Sequence, residues 1–338
     1  MKFSVVMPVY NAGGFLRAAI SSILGQEFRD FELLLIDDGA TDGSAAVCDE
    51  FAACDGRVRV FHRENGGICR ARNFGIEKAS GQYVMFSDHD DEYLPGYLSV
   101  VAAAIAETGG SADVVKVNFS LADRWPDGRS VLTHPGWEEP SCKWSRGSEY
   151  GLFERLTLAV WDGAYKREFL LRNRLAFDES FKVGCEDFAF MLQCLARTEK
   201  VYWRSEVCYR HYNNHGVSTS GKYYERRIND IIRVACLEAE LFGPTTLKRS
   251  LERFRRWNGA LVLSALQIPG APRSVSRKIA AMYRMRRAIL PGPPTACTTE
   301  DGLSPSEKTF LLIFRFRLFW LYCLMTLWKC RSQPKLPS

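Results

Sequence analysis

Histidine is scarce in this 338-residue chain: there are five, and none falls in the HExxH spacing of a helical zinc site. The 11 cysteines form no CxxC pair and are odd in number, so they read as reduced, mostly buried thiols of a cytosolic protein. GxGxxG, P-loop and GxSxG patterns are missing, which disfavours dinucleotide dehydrogenases, P-loop kinases and serine hydrolases. Low-complexity tracts and internal repeats are absent, which argues against solenoids and propellers. The chain opens on a strand pattern without a charged n-region and apolar h-region, so no secretory signal is expected.

What remains describes a folded protein. Hydrophobic residues make up 46%, charged residues 25% and aromatics 12%, a composition that supports a packed core and excludes wholesale disorder. The charge is unevenly divided. Residues 1–210 carry 24 Lys and Arg against 31 Asp and Glu, a net −7; residues 211–338 carry 21 against 8, a net +13. The acidic part is too negative to sheathe a nucleic acid, whereas the basic part suits anionic lipid, another anionic partner or nucleic acid. These shifts divide the chain into an α/β domain over 1–220, a basic helical region over 221–290, a Pro/Gly-rich linker over 291–306, and an amphipathic tail over 307–338.

Along the first 120 residues, short apolar runs at 3–7, 33–36, 58–61, 83–86 and 114–119 alternate with helical patterns at 15–24, 44–51, 68–79 and 97–106. That alternation predicts a mostly parallel, doubly wound sheet covered on both faces, with ligands at the carboxyl ends of its strands. Residues 123–148 read as an irregular excursion, 149–160 and 166–173 as helices, 187–195 as a helix packed on the sheet, 201–203 and 207–209 as short strands, and 211–216 as a loop.

Polar residues gather where each strand ends: Pro8-Val9-Tyr10-Asn11, Asp37-Asp38-Gly39, Glu64-Asn65-Gly66-Gly67 leading to Arg70 and Arg72, and Asp88-His89-Asp90-Asp91. Three carboxylates within four residues repel one another unless a cation or solvent relieves them. Hard oxygen ligands favour Mg²⁺ or Mn²⁺, completed by water and substrate phosphates; the bland reading is a solvated turn capping the next helix. Asp38 either helps cap the helix beginning near Ser44 or accepts hydrogen bonds from a base or ribose. Tyr10 suits stacking on a flat base, with core packing as its competitor. Arg70 and Arg72 suit a diphosphate, or salt bridges to nearby acids. Glu186-Asp187 opens an apolar helix, as compensation for its dipole or as a general base facing the same edge.

In order and spacing, VVMPVYN (5–11), ELLLIDDGATDGS (32–44), NGGICRARNFGI (65–76), YVMFSDHDD (83–91) and GCEDFAF (184–190) resemble the family 2 glycosyltransferases of the GT-A fold over residues 3–220. Ala40 stands where that family usually has Ser, and His89 where a small residue is commoner. The resemblance implies an inverting transferase. On that resemblance Pro8, Tyr10, Asn11 and Asp38 are expected to bind the nucleoside, Asp88 and Asp90 to hold the ribose and the metal-bound diphosphate, and Arg72 to offset charge on the leaving group. It likewise implies that Asp187 would deprotonate the acceptor hydroxyl and that Glu186, Trp161 and Lys166 would lie on the acceptor side. A QxxRW motif of processive relatives is missing, which favours transfer of a single sugar. The implied partners are a nucleotide-sugar donor, UDP-linked, and a glycan or lipid-linked acceptor in cell-surface polysaccharide synthesis.

The apolar stretch at 310–328 is interrupted by Arg315 and Arg317, and mixed aromatic and basic residues suit an interfacial anchor at the inner face of the cell membrane. A helix buried in the protein or in a homodimer is its competitor. Two other classes compete for the whole chain: a sugar nucleotidyltransferase, and a non-catalytic binding protein acting through the basic tail.

Overall fold

The computed structural model describes residues 3–125, 127–136, 143–145, 159–182, 184–214, 225–242 and residue 280. The chain divides into two compact units, Met1–Ser220 and Gly221–Ser338. In chain order the first contains β1 (Phe3–Val9), α1 (Leu16–Leu24), β2 (Phe31–Asp37), α2 (Ser44–Cys54), β3 (Val58–His62), α3 (Ile68–Lys78), β4 (Tyr83–Phe86), β5 (Glu92–Tyr93), α4 (Tyr97–Glu107), β6 (Val114–Arg124), β7 (Ser130–His134), β8 (Lys143–Ser145), β9 (Gly163–Lys166), α5 (Arg167–Arg172), α6 (Glu186–Leu195) and β10 (Val201–Asn214). Of the second, α7 (Glu225–Phe242) is the described helix.

The main sheet runs β3-β2-β1-β4-β9-β6-β10-β5, with β7 on β6 and β8 on β10. All seven residues of β1 and of β2 are buried, as strands covered on both faces require, and this is why each carries an apolar run, Val5–Val9 and Leu33–Ile36, rather than an alternating pattern. β1, β2, β3 and β4 pair in parallel, as do β6 and β10. β1 sits between β2 and β4, so strand order reverses beside it, and a ligand crevice forms at such a reversal.

The sheet is α/β and doubly wound as expected, but mixed. β9 enters antiparallel between β4 and β6. The stretch expected to be an irregular excursion contributes β7 and β8, and the two short strands expected near 201–209 are one 14-residue strand with register shifts between Trp203 and Tyr209. That strand continues through His211, which corrects the loop expected there. Asn213 and Asn214 look like turn residues, yet each is paired with β6, opposite Asp123 and Arg124. Residues 159 and 160 are not helical; the rest of the helix expected over 149–160, the linker at 291–306 and the apolar run at 310–328 lie outside the described residues. Among the described residues no helix is long and apolar enough to cross a membrane.

α3 shows how packing positions the site. Cys69, Arg72 and Ile76 recur at helical spacing on its buried face, with Gly75 between them. A Cβ on Gly75 would lie 2.2 Å from Val6 Cγ1, so glycine lets the helix backbone rest directly on β1. Arg72, one turn earlier, is thereby held beneath the carboxyl edge of the sheet.

Candidate active site

The loops after β1, β2 and β3 are tied to one another. Asn11 is left-handed at φ 47°, and its side-chain oxygen accepts the Thr41 amide at 2.8 Å. Asp38, buried at 4% exposure, accepts the amides of Gly66 at 2.9 Å and Gly67 at 2.8 Å. It therefore braces the NGG loop and does not cap α2, whose N-cap is Gly43; the first helical amide, Ser44, donates instead to Asp42 Oδ1 at 3.1 Å. Tyr10 is 47% exposed, a surface ring at the mouth of the crevice rather than a core residue. Pro8, in buried β1, offers its carbonyl to His89 Nδ1 at 3.2 Å.

The aspartates after β4 separate into different environments. Asp91 is buried at 2% exposure and fully engaged: Oδ2 accepts the Tyr209 hydroxyl at 2.8 Å and contacts His211 Nδ1 at 2.9 Å, while Oδ1 accepts the Tyr212 amide at 2.8 Å. Burial would lower the His211 pKa, but Asp91 outweighs it and raises it to about 9. Asp88 and Asp90 are half-buried. Asp88 Oδ1 accepts Arg72 Nη2 at 2.9 Å, and Asp90 Oδ2 accepts Asn214 Nδ2 at 2.7 Å. Burial and the Asp91 charge push Asp90 up to about 6. That is the carboxylate repulsion anticipated from DHDD, and it is concentrated on a half-buried member.

Asp88 and Asp90 fit a hard divalent cation. The like-charge excess falls on Asp90, and the pair supplies the one or two carboxylates that Mg²⁺ or Mn²⁺ takes when substrate phosphates and water complete its shell. Among the described residues no three His, Cys, Asp or Glu side chains form a complete protein cage.

Facing this turn, α6 begins at Glu186. Its N-cap Cys185 is left-handed at φ 71°, a conformation that is costly for a residue with a Cβ and that persists where surrounding packing enforces it. Arg72, 2% exposed, places Nη1 2.9 Å from Glu186 Oε1 and Nη2 2.9 Å from Asp88 Oδ1. Burial disfavours its charge, but the two acids more than compensate and raise its pKa. Asp187 is half-buried. Burial, then the Glu186 charge, raise its carboxyl to about 7, which suits a base working near neutrality.

Three expectations change. Arg72 is enclosed between two carboxylates, so its charge reaches the crevice through Asp88 and not by direct presentation to a diphosphate. Glu186 turns inward onto Arg72 and not outward to an acceptor. Lys166 stands opposite Tyr83, at the start of β4, and its Nζ donates to the Gly110 carbonyl at 3.0 Å. That is the end of the sheet remote from Asp88, because β9 runs antiparallel to β4. Trp161, on the segment entering β9, does lie beside the site: its indole stacks on Tyr209 at 4.5 Å and on His211 at 5.2 Å between ring centroids.

Residues 4–170 match the family described as Glycosyl transferase family 2. The chain belongs to the family 2 glycosyltransferases. Over 334 residues it is 28% identical to EpsJ of Bacillus subtilis, described as an uncharacterized glycosyltransferase, covering 94% of this chain and 93% of that one. With the glycosyltransferase YibD of Escherichia coli it shares 30% identity over 242 residues, 68% of this chain and 66% of YibD. Among solved structures, the TarS 1–349 fragment of S. aureus in complex with UDP has a similar fold: TM-score 0.69, 20% identity, covering 99% of this chain and 93% of the fragment.

In this glycosyltransferase the residues hardest to foresee are those on β10 and beside it. Tyr209, His211 and Asn214 each bond an aspartate of the turn after β4. The signal was the alternation of 209 and 211, legible once β10 is extended past residue 209. Arg124 is another: Nη2 donates to the Asp90 carbonyl at 3.1 Å, and its guanidinium lies 3.4 Å from the centre of the Tyr212 ring.

Proposed function

We propose that this glycosyltransferase moves a single sugar from a UDP-linked donor to a hydroxyl of a glycan or lipid-linked acceptor, with inversion, in cell-surface polysaccharide synthesis. The observation that carries this reading is the Arg72 bridge. One buried cation joins Asp88, on the donor turn, to Glu186, the neighbour of a carboxyl whose pKa is about 7. Donor charge and acceptor proton are thus handled on two elements held together by one side chain.

Tyr10 stacks on the nucleobase, with Pro8, Asn11 and Asp38 shaping the pocket that receives the nucleoside. Asp88 and Asp90 hold a divalent cation, Mn²⁺ or Mg²⁺, which when bound neutralises charge on the diphosphate. Asp187 takes the proton of the acceptor hydroxyl as its oxygen approaches the anomeric carbon from the face opposite the diphosphate. A C–O bond forms to the acceptor, the bond to the diphosphate oxygen breaks, and configuration inverts. TarS, whose fold is similar, has been crystallised with UDP-GlcNAc, which is why a uridine donor is the first to test. The net +13 of residues 211–338 and the aromatic and basic tail support peripheral contact with an anionic membrane surface.

The decisive experiment pairs two variants. Asp187→Asn is expected to lose transfer by about 10²–10⁴-fold while UDP and Mn²⁺ still bind in calorimetry; Asp90→Asn is expected to lose both. Full transfer activity in Asp187→Asn overturns the base assignment, and no heat for any nucleoside diphosphate with Mn²⁺ overturns the reading as a whole.

A further inference from the structure

The four consecutive backbone carbonyls of residues 159–162 are all engaged. Lys116 Nζ donates to the Ala159 oxygen at 2.7 Å, the Tyr165 hydroxyl to Val160 at 3.1 Å, the Tyr97 hydroxyl to Trp161 at 2.9 Å, and the Val117 amide to Asp162 at 2.9 Å. Lys116 also forms an ion pair with Asp162, and both side chains are fully buried. The next residue, Gly163, approaches β6 so closely that a Cβ would lie 2.6 Å from the Val115 oxygen. Connecting segments usually run over the surface with their carbonyls in water. A buried ion pair is also a weak source of stability, so its presence calls for something that it holds in place.

Among these anchored residues stands Trp161. The indole stacks on both Tyr209 and His211, within 15° and 7° of parallel. Those two side chains meet on Asp91 Oδ2, and the Tyr209 hydroxyl also accepts the Asp88 amide at 3.2 Å. Contact is therefore continuous from Lys116 and Asp162, through Trp161 and the two rings of β10, to the turn that carries Asp88 and Asp90.

We propose that the Lys116–Asp162 pair and Trp161 are positioning residues for the donor site, fixing the DHDD turn through Tyr209, His211 and Asp91. The proposal rests on the assignment of that turn to nucleotide-sugar binding. It gives Trp161 a task different from lining an acceptor pocket: at 7% exposure the ring acts on what lies behind the aspartates.

The test uses the full chain with Trp161→Leu, Trp161→Phe and the double variant Lys116→Met/Asp162→Asn, which removes both buried charges together. Lys116→Met alone is avoided because it strands a buried carboxylate. Each is measured for binding of UDP with Mn²⁺ by calorimetry, for thermal midpoint, and for the imidazole nitrogen signals of His211 by NMR. Trp161→Leu and the double variant are expected to weaken UDP–Mn²⁺ binding about tenfold or more and to displace the His211 signals, while Trp161→Phe, which keeps a stacked ring, stays within about threefold of the parent chain. A lower thermal midpoint with unchanged affinity and unchanged His211 signals overturns the proposal, since Trp161 is then core and nothing more. Should Trp161→Leu fail to fold, the double variant decides by the same two readouts. If the parent chain binds no nucleoside diphosphate, the donor reading is what fails. The His211 signals still decide the linkage, moving in Trp161→Leu and not in Trp161→Phe if it exists.

Discussion

At the scale of single residues, the site works by giving similar carboxyls unequal surroundings. Asp91 is saturated with donors, Asp88 is neutralised by Arg72, and Asp187 is left with burial and a neighbouring negative charge. The sign of the pH dependence follows. A base must be ionised to accept a proton, so kcat/KM is expected to fall as pH drops through about 7, the Asp187 value, and to lose this limb in Asp187→Asn. Rate measurements from pH 5 to 9 with one donor and acceptor check it; a flat profile in the parent chain removes Asp187 from the base role. Arg72 gives a second prediction. Lysine presents one compact ammonium where the guanidinium spans two carboxylates, so Arg72→Lys is expected to lower kcat about ten- to hundredfold and to weaken donor binding at the same time, read from initial rates over a donor series. The acidic residues were legible in the sequence because each follows a buried strand. The bridge was not, because Arg72 and Glu186 are 114 positions apart and nothing local ties them.

Secondary-structure elements set the distances between these residues. α3 reaches β1 only because Gly75 has no side chain where Val6 stands. Gly75→Ala is expected to cost about 1–3 kcal/mol by overpacking, and to lower activity more than that loss of folded protein explains, because lifting α3 moves Arg72. Denaturant unfolding and activity per folded molecule separate the two effects. The apolar runs within β1, β2 and β4 announced a parallel sheet, since burial on both faces leaves few polar positions, and those present, such as Ser4 and Glu32, are bonded to each other. β9 announced nothing: GAYK is four residues long and ambiguous alone, and its antiparallel place between β4 and β6 is fixed by pairing with both neighbours. The resemblance that implies an acceptor-side Lys166 carries no information on strand direction, and antiparallel β9 sets that residue at the end of the sheet remote from Asp88. The full length of β10 is not legible locally because paired asparagines favour turns, while its pairing with β6 carries it on to Asn214.

For the whole molecule, charge segregation yields a prediction independent of the chemistry. With an acidic amino-terminal part and a carboxyl-terminal part of net +13, the proposed contact with anionic lipid is expected to rest on the second part. Co-sedimentation with phosphatidylserine-containing vesicles is expected to decline with added salt and to drop sharply when residues 306–338 are removed; unchanged sedimentation of the shortened chain counts against the tail as anchor. Sheet order has a consequence for synthesis. β4 and β6 are not neighbours, and the strand that joins them is β9. When a ribosome has finished residue 124, β1 to β4 are complete and can pair, with Tyr83–Phe86 as an open margin, while β6 is a strand whose partners β7, β9 and β10 are all still unmade. The seam closes only when Gly163–Lys166 clears the exit tunnel, some forty codons later. Through that interval the nascent polypeptide exposes unpaired strand edges of the kind that invite intermolecular pairing, so slow translation across the intervening stretch is where this protein is most vulnerable to aggregation.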